Sequence, residues 1–252
     1  YAVAVFFITL FLVLLTEAEH PVTLGFTVER LLSTLAGGAL ALMAALFFWP
    51  VWERDRFPPI LARGLRANRE FLQLLMARLR VGGPYDEETI DAKRRAEGAN
   101  SALFSSLQRM TGDPKNRREG LEQAATLANG NQRLTRALTV MTLHLTPGAA
   151  LAVPQLTQFA DLGGQALEEV AETVERGSPD RAALKALSTA LQNFRPPLPS
   201  PDSPSVDAQR QRWIFGLVIR AATELSALLL AVQEVAAPLF EETLSATPAG
   251  KT

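Results

Sequence analysis

The chain has no cysteine and only two histidines. The first absence excludes disulfides, thiolate metal sites and cysteine nucleophiles, and it agrees with a cytoplasm-facing location without establishing one. The second leaves His20 and His144 as the only imidazoles, and no His-Glu-x-x-His, paired-carboxylate or Ser-His-Asp pattern can be assembled from the local sequence. An enzyme is therefore not expected, nor a metal, nor a cofactor. An excess of one charge is also missing. A formal net charge of −1 supplies no basic field for a polyanion, so nucleic acid is not expected as a partner. Gly250-Lys251-Thr252 matches the end of a phosphate-binding loop, but Ser245 stands where the first glycine belongs, and the match is read as chance.

What is present is unevenly spread. Residues 1–16 carry no charge, and neither do residues 31–51. The first run reads as the surviving portion of a truncated membrane helix, because at about 1.5 Å per residue it falls short of a hydrocarbon core of roughly 30 Å. The second is long enough to span, and it ends in Phe47, Phe48, Trp49 and Trp52, aromatics suited to the headgroup level. Pro21 and Gly25 in the short segment between them predict a hairpin across the bilayer. Arg30 is the only lysine or arginine of that segment, whereas Arg54, Arg56, Arg63, Arg66 and Arg69 follow the second run. The positive-inside rule then puts everything after about residue 52 in the cytoplasm. The same runs would also suit core helices of a soluble all-α protein, although such helices rarely lack a polar face altogether.

Within the second run, Gly37, Ala41 and Ala45 recur every fourth residue and make a smooth strip for close helix packing, or, less commonly, a wall of a substrate path. Glu29 and Arg30 stand at its start. Interfacial snorkelling explains them simply; a carboxylate substrate attracted to Arg30, with Thr34 one turn on, is the functional reading.

Beyond residue 52 the pattern is helical throughout. Leu61, Leu65, Leu72, Leu75 and Leu79 form one stripe, closed by Gly82-Gly83-Pro84. Further helices are predicted over about 86–110, 118–146, with Asn129-Gly130-Asn131 as a possible kink and His144 near its end, and 154–176. Ser178-Pro179 supplies the N-cap and first turn of another, running to about 194. A proline-rich linker covers 195–205. A last amphipathic helix, 206–242, keeps Ile214, Leu217, Ala221, Leu225, Leu228 and Val232 at helical intervals, while Arg220 and Glu224 argue for packing on the helical domain of 53–194 over a third span. The expected class is all-α: a transmembrane hairpin over 1–52, then a bundle of long antiparallel helices.

Two stretches carry a family resemblance. Glu29-Arg30-Leu31-Leu32-Ser33-Thr34-Leu35-Ala36-Gly37-Gly38 with Phe48-Trp49-Pro50-Val51-Trp52-Glu53-Arg54 resembles the last membrane segment of the fusaric-acid-resistance (FUSC-like) inner-membrane transporter family. Arg94-Arg95-Ala96-Glu97-Gly98-Ala99-Asn100, then Leu107-Gln108-Arg109-Met110 and Asp113-Pro114, is similar to that family's cytoplasmic helical signature, and the surroundings of Arg133 and His144 continue it. The resemblance runs to about residue 194. It implies the C-terminal part of a multi-pass exporter in a bacterial inner membrane, driven by the proton gradient and moving aromatic carboxylic acids or similar organic anions. Partners so implied are the lipid bilayer, the preceding membrane helices of the same protein, a second copy and a periplasmic adaptor. Where many members have an acidic residue before the threonine this chain has Ser33, which removes a proton-coupling group from that position. The competing reading is a membrane-anchored helical interaction or regulatory module with no transport of its own.

Overall fold

The computed structural model describes residues 11, 24–47, 53–112, 120–151, 153–200 and 205–245, with side chains described for part of the first and last helices. Every regular element among them is an α-helix, as the sequence predicts. They are α1 (Leu24–Phe47), α2 (Glu53–Val81), α3 (Glu87–Met110), α4 (Leu121–Thr142), α5 (Pro154–Arg176), α6 (Arg181–Gln192) and α7 (Val206–Ser245). The chain divides into two compact units, Tyr1–Val51 and Trp52–Thr252.

In the first unit α1 is a helix of 24 residues, about 36 Å long at 1.5 Å per residue. Its described side chains, residues 28–41 and 43, are all exposed, among them Leu35 at 62% and Leu40 at 66%. The run 1–16 lies outside the described residues apart from Phe11, as do Trp49 and Trp52. The predicted hairpin and interfacial belt therefore fall there too.

The second unit is a bundle. α2 packs against α3, α4 and α5; α4 packs against α3 and α7; α7 packs against α5 and α6, and α6 also touches α5. The stripe Leu61, Leu65, Leu72, Leu75 and Leu79 is fully buried, joined by Phe57 and Phe71. Leu127, Leu134, Leu138 and Met141 of α4 and Ile214, Ala221, Leu225, Leu228 and Val232 of α7 complete one core. At roughly 1.5–3 kcal/mol for each large apolar side chain, this burial is the main force holding the helices together. Close approach matters where α5 meets α2: a Cβ on Gly163 would stand 2.7 Å from Leu72 Cδ2 and 3.2 Å from Leu225 Cδ1.

The helix ends follow capping chemistry. Gly82, at φ +66°, turns the chain out of α2, where the carbonyls of Gly82 and Leu79 accept from Gly148 N–H and Leu151 N–H, both at 2.9 Å. Asp86 caps α3 by accepting from Thr89 N–H at 3.1 Å, and Arg78 bridges Asp86 and Glu88 at 2.6 and 2.7 Å. Two boundaries and one helix interior differ from expectation. α6 is capped by Asp180, which accepts from the N–H groups of Ala182 and Ala183, because a carboxylate two residues beyond Ser178 can reach two free donors at once. α4 ends at Thr142, so His144 lies in the turn that follows the helix. And α4 runs unbroken through Asn129-Gly130-Asn131.

Candidate functional site

The predicted polar group of the first unit sits one turn into α1. Ser33 Oγ donates to Glu29 O and Thr34 Oγ1 to Arg30 O, each at 2.9 Å, so both hydroxyls are turned back onto the helix. At about 100° per residue, Arg30, Thr34, Gly37, Ala41 and Ala45 share one face, and Glu29 with Ser33 falls on its neighbour. The substrate-pathway and packing candidates thus form one strip: a cation and a hydroxyl at one end, small residues at the other. A Cβ on Gly37 would meet nothing within 4 Å, and Ala41 is exposed, so the strip is open. The side chain of Ala45 is not among those described.

The second unit holds a polar cluster that sequence reasoning missed. Asn68 of α2, Asn100 of α3, and Asn131 and Thr135 of α4 are each at most 6% exposed. Asn68 Nδ2 donates to Asn131 Oδ1 at 2.8 Å, Asn131 Nδ2 to Asn100 Oδ1 at 2.9 Å, Asn100 Nδ2 to Thr135 Oγ1 at 2.6 Å, and Thr135 Oγ1 to Asn68 Oδ1 at 2.9 Å. The four side chains close a ring. Two of its three spare amide protons reach backbone carbonyls, Asn68 Nδ2 that of Asn131 and Asn100 Nδ2 that of Ala96. This cluster keeps the Asn129-Gly130-Asn131 segment helical: Asn131, a poor helix former in water, is held by α2 and α3. The only signal in the sequence was three asparagines at positions where the stripes would place leucine or alanine.

Around the bundle, arginines pair across helices. Arg66 reaches Glu175 through two bonds of 2.7 Å and Glu168 at 3.0 Å, while Arg69 takes the other oxygen of Glu168 at 2.8 Å. The Arg66 hydrogen bonds hold Glu175 below the usual carboxylate range, and Glu175 and then Glu168 hold Arg66 still more firmly protonated. Arg133 of α4 meets Glu224 of α7 at 2.7 Å. Arg210 donates to the carbonyls of His144 and Ala149 at 3.0 and 2.9 Å. Burial first, and Arg210 second, lower the pKa of His144. Between α3 and α4 lies an open furrow of about 680 Å³, lined by Glu97, Ser101, Phe104 and Arg136 above Asn100 and Thr135. Among the described residues no group of three or more metal-ligating side chains is brought together.

No family model matches the chain, and no solved structure does. Curated relatives do match. The chain is 31% identical over 198 residues to the uncharacterized protein slr1298 of Synechocystis sp., an overlap of 77% of this chain and 26% of that protein. It is 26% identical over 238 residues to the inner membrane protein YccS of Escherichia coli, covering 93% of this chain and 32% of YccS. An uncharacterized protein of Haemophilus influenzae shares 26% over 141 residues, 56% of this chain and 20% of its own. The chain thus spans a third or less of the length of these relatives, and it is distantly related over nearly all its residues to an inner membrane protein.

Proposed function

We propose that the chain is part of an inner-membrane exporter of the fusaric-acid-resistance type, which moves aromatic carboxylates or similar organic anions outward with the proton gradient. The observation that carries the membrane part of this reading is the relation to the inner membrane protein YccS across 93% of the chain; the substrate class and the proton gradient rest on the resemblance of residues 29–38 and 48–54 alone. α1 supports it. A helix of about 36 Å covers a hydrocarbon core of roughly 30 Å, and its exposed leucines suit lipid better than water. The arginines that begin at Arg54 favour a cytoplasmic position for the helical unit. In this reading Arg30 attracts the carboxylate, Thr34 follows one turn on, and Gly37, Ala41 and Ala45 seat a neighbouring helix. Two spans give too little wall for a pathway, so further helices of the same protein or of a second copy complete it, with a periplasmic adaptor receiving the substrate. The chain performs no covalent chemistry.

Cells with and without the full-length gene, loaded with a labelled aromatic carboxylate, test this. Gene-dependent efflux that an uncoupler abolishes is expected. Identical efflux across a panel of organic anions contradicts it and leaves the anchored interaction module. In the same assay Arg30→Gln should reduce efflux at normal membrane abundance; unchanged efflux removes Arg30 from the pathway.

A further inference from the structure

The ring of Asn68, Asn100, Asn131 and Thr135 is closed. Each amide oxygen accepts one ring bond, and the single Thr135 proton is shared between Asn68 Oδ1 at 2.9 Å and Asn131 O at 3.0 Å while the oxygen accepts from Asn100. Apolar stripes of Leu and Ala at 3–4 spacing hold helices together but are non-directional, and a shift of one turn along the stripe sacrifices little of the buried area. Directional bonds among buried amides are different: the same shift would strand several donors and acceptors away from water.

We propose that this ring is the register lock of the second unit, fixing α2, α3 and α4 against sliding and making them one cooperative block. The ring draws one member from α2, one from α3 and two from α4, so none of the three helices can move alone. A Cβ on Gly64 of α2 would stand 3.1 Å from Asn131 Nδ2, so the small residue there lets the α4 amide lie against α2. The other side-chain hydrogen-bond groups among the described residues join helices only in pairs. α6 and α7 share a smaller triangle, in which Ser188 meets Ser226 at 3.0 Å and the Gln192 amide donates to Ser226 at 3.0 Å and, more weakly, to Ser188 at 3.4 Å; two of its three members belong to α6, so it ties only two helices, and through a single α7 hydroxyl. The consequence is mechanical: a displacement of α2 carries α3 and α4 with it, while α6 can loosen separately. The inference holds whether or not the chain takes part in export.

Native-state hydrogen exchange on the purified full chain tests it. In the unsubstituted chain, amides of residues 64–72, 96–104 and 127–138 should open in one step with a common denaturant dependence, and those of 181–192 in another, easier one. Thr135→Val, which keeps the shape and removes the hydroxyl, should speed exchange about tenfold or more in all three segments and leave 181–192 within about twofold. Thr135→Ser should restore the slow rates. Separate opening of α3 in the unsubstituted chain overturns the proposal even if the valine variant does not fold. So does a Thr135→Val effect confined to one helix turn, or one spread evenly over every helix.

Discussion

Among the described residues, α1 and α7 are the two long apolar helices, and one is exposed where the other is packed. Among residues with described side chains, the helical stretch long and apolar enough to cross a membrane is Val206–Glu234 of α7, yet half of it is buried inside the bundle. α1 shows apolar side chains on every described face. The difference lies in how polar groups are placed. In α7, Arg220 and Glu224 fall on one side, and Glu224 is answered by Arg133 of α4. In α1, Glu29 and Arg30 stand near the start and no charge follows up to Phe47. Overall apolarity does not separate a helix that packs into a bundle from one that stays exposed; the position of its charges and the existence of partners for them do.

The strongest way to break this contrast is to erase the charges of α7. Arg220→Leu with Glu224→Leu should make residues 213–234 insert as a span in a membrane-insertion assay, a gain of about 6 kcal/mol in apparent insertion energy. If the doubly substituted segment still fails to insert, the two charges are not what decides whether that segment enters a bilayer.

Next in size is a pair of truncations. Phe215→Ala, at a fully buried position of α7, should cost about 3–5 kcal/mol in unfolding of the purified chain. Leu35→Ala, on the exposed surface of α1, should change that unfolding by less than about 0.5 kcal/mol. Equal costs would erase the distinction between the two helices. Gly163→Ala should lie between them, at about 1–3 kcal/mol, because the new methyl group meets Leu72 and Leu225 in a core with no slack; thermal unfolding reads it, and a stabilised variant would show that α5 can shift.

The smallest effect is on pH. His144, Glu175 and Asp86 all have folded pKa values below their ordinary ones: burial acts first on His144, the Arg66 hydrogen bonds on Glu175, and the Thr89 hydroxyl on Asp86. Each therefore contributes stability that is present above its unfolded value and lost as pH falls. The bundle should begin to soften below the ordinary histidine value of 6.5 and soften further below 4.5 and 3.8. His144→Gln should remove the first step in a series of melts from pH 8 to 3. A variant that still softens between pH 6.5 and 5 would assign that step elsewhere.

Much of the helical framework was legible. Gly82-Gly83-Pro84 ends α2 where expected, 154–176 is α5 to the residue, and the Leu61 to Leu79 stripe is the core face. These succeeded because breakers and 3.6-residue periodicity are local properties of the chain. What failed was long-range. Asn129-Gly130-Asn131 reads as a weak point on propensity alone, and nothing near it announces that Asn68 and Asn100, 63 and 31 residues away, will satisfy it. The Asp180 cap was missed for a smaller reason: Ser178 before a proline reads as the cap on residue type alone, and only the geometry shows that the carboxylate two residues on meets the free N–H groups. The strip from Arg30 to Ala45 was legible residue by residue, and only the continuous helix α1 joins it into one face.

Residues 1–252 contain no cysteine, so in the full-length protein, with any cysteine elsewhere replaced, a single introduced thiol reports on its own surroundings and makes the central claim directly measurable. Leu35→Cys in α1 and Ser101→Cys on the exposed side of α3 would be treated, in spheroplasts, with a membrane-impermeant maleimide before and after permeabilisation. A membrane-spanning α1 with a cytoplasmic bundle predicts that Cys at position 35 stays unlabelled throughout and that Cys at position 101 labels only after permeabilisation. Rapid labelling at position 35, or labelling at position 101 in intact spheroplasts, would contradict the account.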